Sequence, residues 1–116
     1  MDQIVHICST EDWQSAQTVG EYWAESLESE GFIHFSRPDQ AVDTANRYYA
    51  GRRDLLLLWV DSQALVAELR WEISHGDRYP HLYGPLNLEA VSRVSPFLPD
   101  YEGVFRVLMP YQDEAL

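Results

Sequence analysis

Lysine is absent from this chain and cysteine nearly so. All eight basic residues are arginines, and against 19 acidic side chains they leave a formal charge of −11. Loose attraction to polyanions depends on many Lys and Arg side chains, so bulk nucleic-acid binding and adhesion to an anionic membrane surface are excluded as expectations. A small anionic ligand is not, because one or two arginines and a few backbone N–H groups suffice to hold a phosphate. The single cysteine, Cys8, has no partner for an internal disulfide. In an apolar first segment it reads as a buried small hydrophobe and not as a reactive thiol. Long apolar runs are also missing. The longest, Leu55-Leu56-Leu57-Leu58-Trp59-Val60, is far short of the roughly 20 residues that span a bilayer, and nothing near the N-terminus resembles a signal sequence. A soluble, cytoplasmic protein is the expectation. There is no P-loop, no G-x-G-x-x-G and no G-x-S-x-G, so the common phosphate-cradling and serine-nucleophile signatures are lacking.

What is present is a globular composition, 46% hydrophobic and 23% charged, without repeats or linkers. One α+β domain over residues 1–116 is expected. Ile4 to Cys8 is rich in β-branched residues and reads as a strand. Ser9-Thr10-Glu11-Asp12 is a helix start, and Gly20 ends that helix. A short helix from Ala24 to Glu30 stops at Gly31. Phe32 to Ser36 reads as a strand, and Pro38 opens a helix whose Ala41, Val42, Ala45, Tyr48 and Tyr49 share one side before Gly51. Leu55 to Val60, apolar on both faces, reads as a buried central strand. From Ala67, alternation predicts a strand with Leu69, Trp71 and Ile73 inward and an acidic face, Glu68, Arg70 and Glu72, outward. His75 to Pro85, with its glycines and prolines, is expected to be largely irregular. Val91 to Phe97 and Val104 to Met109 read as late strands joined by a turn at Pro99–Gly103. The segments near residues 4, 33, 57, 70, 93 and 106 are expected to form one bent, mostly antiparallel sheet.

Four histidines, at 6, 34, 75 and 81, are the first candidates for chemistry, since imidazole donates, accepts and ligates near neutral pH. On a half-buried strand a lone histidine is commonly a hydrogen-bonded core residue, and shared placement of His6, His34 and His81 on one cavity is what would set them apart. Histidine zinc sites usually take two ligands from one rigid element at close spacing. Here the nearest pair, His75 and His81, is six residues apart, so a metal site is the weaker reading. Glu72, on a polar strand face, is either a positioned carboxylate or a solvated residue paired with Arg70 or Arg78. The aromatic side chains are read mainly as core, with one or two lining a pocket for a flat ligand.

His6, Trp13, Gly20, Tyr22, Ser26-Leu27, Gly31-Phe32-Ile33-His34-Phe35-Ser36, Ala45-Asn46 with Tyr49, Asp54-Leu55, Trp71-Glu72 and Pro80-His81-Leu82-Tyr83-Gly84-Pro85-Leu86 together resemble the domain of unknown function 952 family of small, mainly bacterial proteins. The resemblance covers nearly the whole chain. It implies a fold like that of the ADP-ribosyltransferases, with NAD or an ADP-ribosyl derivative as the ligand class. His6 then looks like the first-strand histidine used on the adenosine ribose, and Phe32 to Ser36 with Tyr49 is similar to the motif that holds nicotinamide. His81 stands where a transferase glutamate is expected, with Glu72 a loop away; an imidazole cannot oppose positive charge growing on the ribose as a carboxylate does. The expected cleft is lined by His6, His34, Ser36, Glu72, His81 and Tyr83. His6, Tyr22, Ser36 and Tyr83 are the candidate ligand-binding residues, with Tyr22 or Tyr83 stacking on a base; His6, His34, Glu72 and His81 are the candidate catalytic ones. The rival expectation is a non-catalytic binding or interaction domain on the same fold.

Overall fold

The computed structural model describes residues 3–106. Strand β1 (Gln3–Ser9) leads into helix α1 (Thr10–Val19), and Ser9 does cap it: its hydroxyl accepts from the Asp12 N–H at 3.0 Å. Gly20 closes α1 with φ of 103°, a left-handed conformation that a side chain would resist. Next come β2 (Glu21–Tyr22), α2 (Glu25–Glu30), β3 (Ile33–His34), a 3-10 turn at Pro38–Gln40 and α3 (Ala41–Tyr48). The second half is β4 (Leu55–Asp61), β5 (Glu68–Ser74), β6 (Asp77–Tyr83), β7 (Leu86–Asn87) and β8 (Val91–Pro96).

These strands form three antiparallel sheets instead of the single one expected: β1-β4-β8, β3-β6-β5 and the small pair β2-β7. As its double-sided apolar run demands, β4 is the middle strand of the first sheet. One face of that sheet, with Ile4, Cys8, Leu58 and Val60, packs against Tyr22, Ile33, Phe35 and Leu82. The other face, with Val5, Ile7, Leu55, Leu57 and Trp59, packs against Ala41 and Ala45 of α3 and against Phe97 and Phe105. Cys8 is buried, and burial pushes its thiol up to about 12.

Further expectations need correction. His75 to Pro85 is not largely irregular: it supplies a two-residue hairpin turn, His75-Gly76, and the whole of β6. The anticipated strand Phe32 to Ser36 is cut to two residues, and Pro80 is the reason. Its carbonyl accepts from the Phe35 N–H at 3.0 Å, but it has no N–H to return, so the β3-β6 ladder ends at the His34↔His81 pair. The chain then crosses to the first sheet, where Ser36 and Val5 exchange two backbone bonds of 2.8 Å in an isolated bridge. Finally, the apolar side of β5 is not all core. Leu69 lies opposite buried Leu82, but Trp71 is 41% and Ile73 is 76% exposed, because the hairpin runs out past the core it starts from. Trp23 and Tyr48 are also exposed. Of the expected strand Val104 to Met109, Val104–Arg106 is irregular and the rest lies outside the described residues. The turn before it forms, with Asp100 accepting from the Glu102 and Val104 N–H groups.

Candidate functional site

A cavity of about 670 Å³ opens between β1, β3-β6 and the C-terminal end of α3, within the usual range for small-molecule sites. His6, His34 and His81 all line it, and so do Tyr22 and Ser36. The strand register accounts for two of the three histidines: His34 and His81 are directly opposite each other on β3 and β6, so their side chains share a face, with ring centroids 5.3 Å apart. His75, Tyr48, Tyr49, Tyr79, Arg47 and Arg52 line the cavity as well.

His6 forms the inner wall. Its Nδ1–H donates to the His34 carbonyl at 2.6 Å, which leaves Nε2 to accept from the Tyr22 hydroxyl at 2.8 Å. Burial depresses its protonation to about 4, so the ring is neutral around neutral pH. Tyr22 is only 2% exposed, and burial raises its phenol above the usual range. Both ring nitrogens of His6 are thus occupied, and the Tyr22 ring is packed. The expected use of His6 on a ribose and of Tyr22 as a stacking platform is not what this geometry offers; the pair braces the wall.

His81, on β6, forms the opposite wall. Phe32 stacks on it at 4.2 Å and 22°. Its Nδ1–H donates to Glu72 Oε1 at 2.7 Å, and the same oxygen accepts from the Tyr83 hydroxyl at 2.8 Å. Alternation puts Glu72 of β5 and His81 and Tyr83 of β6 on one face: His81 is opposite Arg70, and Glu72 is two residues further along that face. The hydrogen bonds from His81 and then Tyr83 hold the Glu72 carboxyl below the usual range, so it is ionised at neutral pH. Neither Arg70 nor Arg78 is its partner; Arg70 pairs with Glu68 at 3.1 Å and lies 4.2 Å over the Tyr83 ring. Tyr83 is therefore covered and is not a base-stacking platform, and neither Glu72 nor Tyr83 is among the residues that line the cavity. They meet it through His81, which lines it and whose Nδ1 is turned to Glu72. Ser36 Oγ lies 3.4 Å from Thr44 Oγ1. His34 is half-exposed at the mouth and makes a weak 3.2 Å pair with Glu30.

Sequence reasoning did not place Arg47, Tyr48 or Tyr79 at the site, and it left His75, one of the four candidate histidines, out of the expected cleft. The signal was there in the Arg47-Tyr48-Tyr49 run, but helical spacing assigned both tyrosines to the packed side. His75 could be placed only once the hairpin was known. Among the described residues no group of three or more His, Cys, Asp or Glu side chains is set to hold a metal ion, and no helix is long and apolar enough to cross a membrane.

The Pro80–Leu86 block has a packing reason for its glycine. A Cβ on Gly84 would meet the Ala67 Cβ at 2.6 Å, too close for any side chain without displacement.

No curated protein matches the chain. Among solved structures, a crystal structure of protein CC0527 from Caulobacter crescentus is similar with 34% identity, a TM-score of 0.85 and coverage of 99% of this chain and 100% of that one. A solution NMR structure of the same protein gives 35% identity, a TM-score of 0.80 and coverage of 96% and 97%. The family described as "Protein of unknown function (DUF952)" matches residues 7–94, a stretch that holds His34, Glu72, His81 and Tyr83. With most of its length matched and this α+β arrangement of antiparallel sheets shared with CC0527, the chain belongs to the DUF952 family.

Proposed function

We propose that the cavity binds a nucleotide-like small molecule, of the NAD or ADP-ribosyl kind that the resemblance to the ADP-ribosyltransferase fold implies, and that Glu72 and His81 move a proton on it. The observation that carries this reading is the His81 wall. An ionised carboxylate takes Nδ1–H of a ring that lines the cavity, so that Nε2 serves as the proton acceptor or, once protonated, the donor. His34 and Ser36 complete the polar lining, with Tyr48 and Tyr49 on the α3 side.

The same geometry argues against cleavage of a glycosidic bond by direct charge opposition. Glu72 Oε1 accepts from both His81 and Tyr83, and an imidazole stands between it and the ligand. A carboxylate so placed orients and tunes its histidine instead of stabilising an oxocarbenium-like ribose. Glu72 is a positioning residue on this reading, and His81 the catalytic one.

Calorimetric titration with ADP-ribose, NAD and adenosine, followed by an assay for nicotinamide release, tests it. Saturable binding of a nucleotide is expected. Where turnover is found, His81→Ala should lower it by about 10²- to 10⁴-fold with the fold intact, and Glu72→Gln should shift the pH profile as well as the rate. The absence of any nucleotide affinity in the wild type would sink the reading. Binding without turnover would leave the non-catalytic alternative, which the fully occupied ring of His6 favours.

A further inference from the structure

The wall of the cavity farthest along the β5-β6 hairpin has a composition of its own. Arg47, in the last turn of α3, lines it; its guanidinium lies 5.8 Å from the centre of the Tyr48 ring, and the neighbouring Tyr79 side chain favours its charged form. Tyr48 in turn joins its hydroxyl to His75 Nε2 at 3.0 Å, and His75 Nδ1 lies 3.0 Å from Ser74 Oγ. All five side chains line the same cavity.

Four other arginines are engaged by acids, while Arg53 bonds the Asp100 carbonyl. Arg37 pairs with Asp39 and Asp77, Arg70 with Glu68, and Arg106 with Asp100. Arg52, which also lines the cavity, makes two bonds to Asp54, of 3.1 and 2.8 Å. Arg47 has tyrosine partners instead, and a phenol leaves the positive charge uncancelled. The carboxylates that line the cavity are Asp12 of α1 and Glu25 and Glu30 of α2, on other elements than the α3 and hairpin wall where Arg47 sits. Of the two arginines that line the cavity, Arg52 is held by Asp54 and Arg47 alone is left to meet an anion from outside.

His75 gives a second, independent observation. It occupies the first central position of a two-residue hairpin turn, where Ser74 pairs with Asp77, and its φ is +52°. Such turns need left-handed backbone at both central positions, and asparagine or aspartate ahead of glycine meets that need at least cost. Histidine is among the residues that tolerate left-handed backbone, and this position at the hairpin tip aims the ring at Tyr48 and the cavity.

We infer that Arg47, Tyr48, His75 and Tyr79 form a phosphate-recognition corner, and that the molecule taken by the cavity carries a phosphate group that docks there while its reacting part lies towards His81. This inference rests on the small-molecule reading above and deepens it by naming the ligand class, a phosphate ester or anhydride. Arg47 supplies charge and a fork of N–H donors; with Ser74 donating to His75 Nδ1 and His75 Nε2–H donating to the Tyr48 oxygen, the ring positions Tyr48 and the tyrosine O–H groups are the further donors. No metal is required.

The test is a titration of uniformly labelled protein with inorganic phosphate at constant ionic strength, followed by NMR, with sodium chloride as control. Saturable shifts centred on Arg47, Tyr48, His75 and Tyr79 are expected. Arg47→Gln should weaken phosphate, and AMP relative to adenosine, about tenfold or more, whereas Arg52→Gln should change either less than about threefold. His75→Asn suits the turn better, so it should keep or raise the thermal midpoint while weakening phosphate. A drop in the midpoint with unchanged affinity would assign His75 a merely structural role and overturn its part. Shifts centred elsewhere, or equal losses in Arg47→Gln and Arg52→Gln, would overturn the corner as a whole. The two readings fail separately: nucleotide binding indifferent to Arg47→Gln removes the corner alone, and phosphate held at Arg47 without any nucleotide affinity removes the nucleotide reading alone.

Discussion

The two walls of the cavity use the same pair of residue types to opposite ends. On β1, His6 is joined to Tyr22; on β6, His81 is joined through Glu72 to Tyr83. The inner pair is sealed. Both nitrogens of His6 are bonded, and desolvation keeps the ring neutral. The outer pair has a carboxylate as its third member, and one ring edge remains. A histidine becomes available for chemistry here not by being polar in a pocket but by having a partner on one nitrogen only, and that partner an acid.

This contrast can be broken by substitution. The largest effect is expected from His6→Ala, which strands the Tyr22 hydroxyl and the His34 carbonyl in a buried setting and should cost about 4 kcal/mol in urea unfolding. His81→Ala should cost about half of that or less; equal losses would mean that the outer wall is as structural as the inner one. Next comes pH. The folded-state value of His6, about 4, lies below the ordinary 6.5, so between those values the unfolded chain binds the extra proton. Its contribution is fully present above pH 6.5 and is lost as pH falls through the window to 4, by about 3 kcal/mol in all. Carboxylates held low by their partners, Asp54, Glu68, Glu72, Asp77 and Asp100, weaken the fold only at lower pH, as they protonate. Unfolding midpoints at pH 7, 5 and 4 for the wild type and His6→Gln would isolate the His6 part; a slope that persists unchanged in His6→Gln contradicts the assignment.

Smaller still, Tyr22→Phe removes the donor to His6 Nε2 and should cost about 1 to 2 kcal/mol. The smallest effect on stability is expected from Glu72→Gln, whose side chain is partly exposed: a thermal midpoint within about 2 °C of the wild type. A large fall in that midpoint would turn the outer wall into a second structural brace.

The elements with local signals were legible in the sequence. Ser9 and Gly20 bracket α1, Gly31 ends α2, and the apolar run of β4 marks a centre strand, because each signal is written within a turn or two of the element it controls. β6 was not legible. Pro80 and the flanking Gly76 and Gly84 argue against a strand, and only the pairing with β5 on one side and the early end of β3 on the other shows how a proline is tolerated there. The site was half legible for a related reason. Histidine placement on strands was readable, and so was Glu72 as a carboxylate of note. Which nitrogen each histidine keeps free, and which tyrosine is covered by Arg70, depend on register between segments far apart in the chain, and the corner around Arg47 depends on a hairpin tip reaching α3.

The bridge between Val5 and Ser36 fixes where the inner wall of the cavity meets the outer one. Its two backbone bonds, the His6 bond to the His34 carbonyl and the apolar cluster between the sheets tie β1-β4-β8 to β3-β6-β5 at the floor of the cavity. A visiting molecule therefore meets a floor already assembled by the backbone, and the cost of ordering that floor falls on folding instead of on binding.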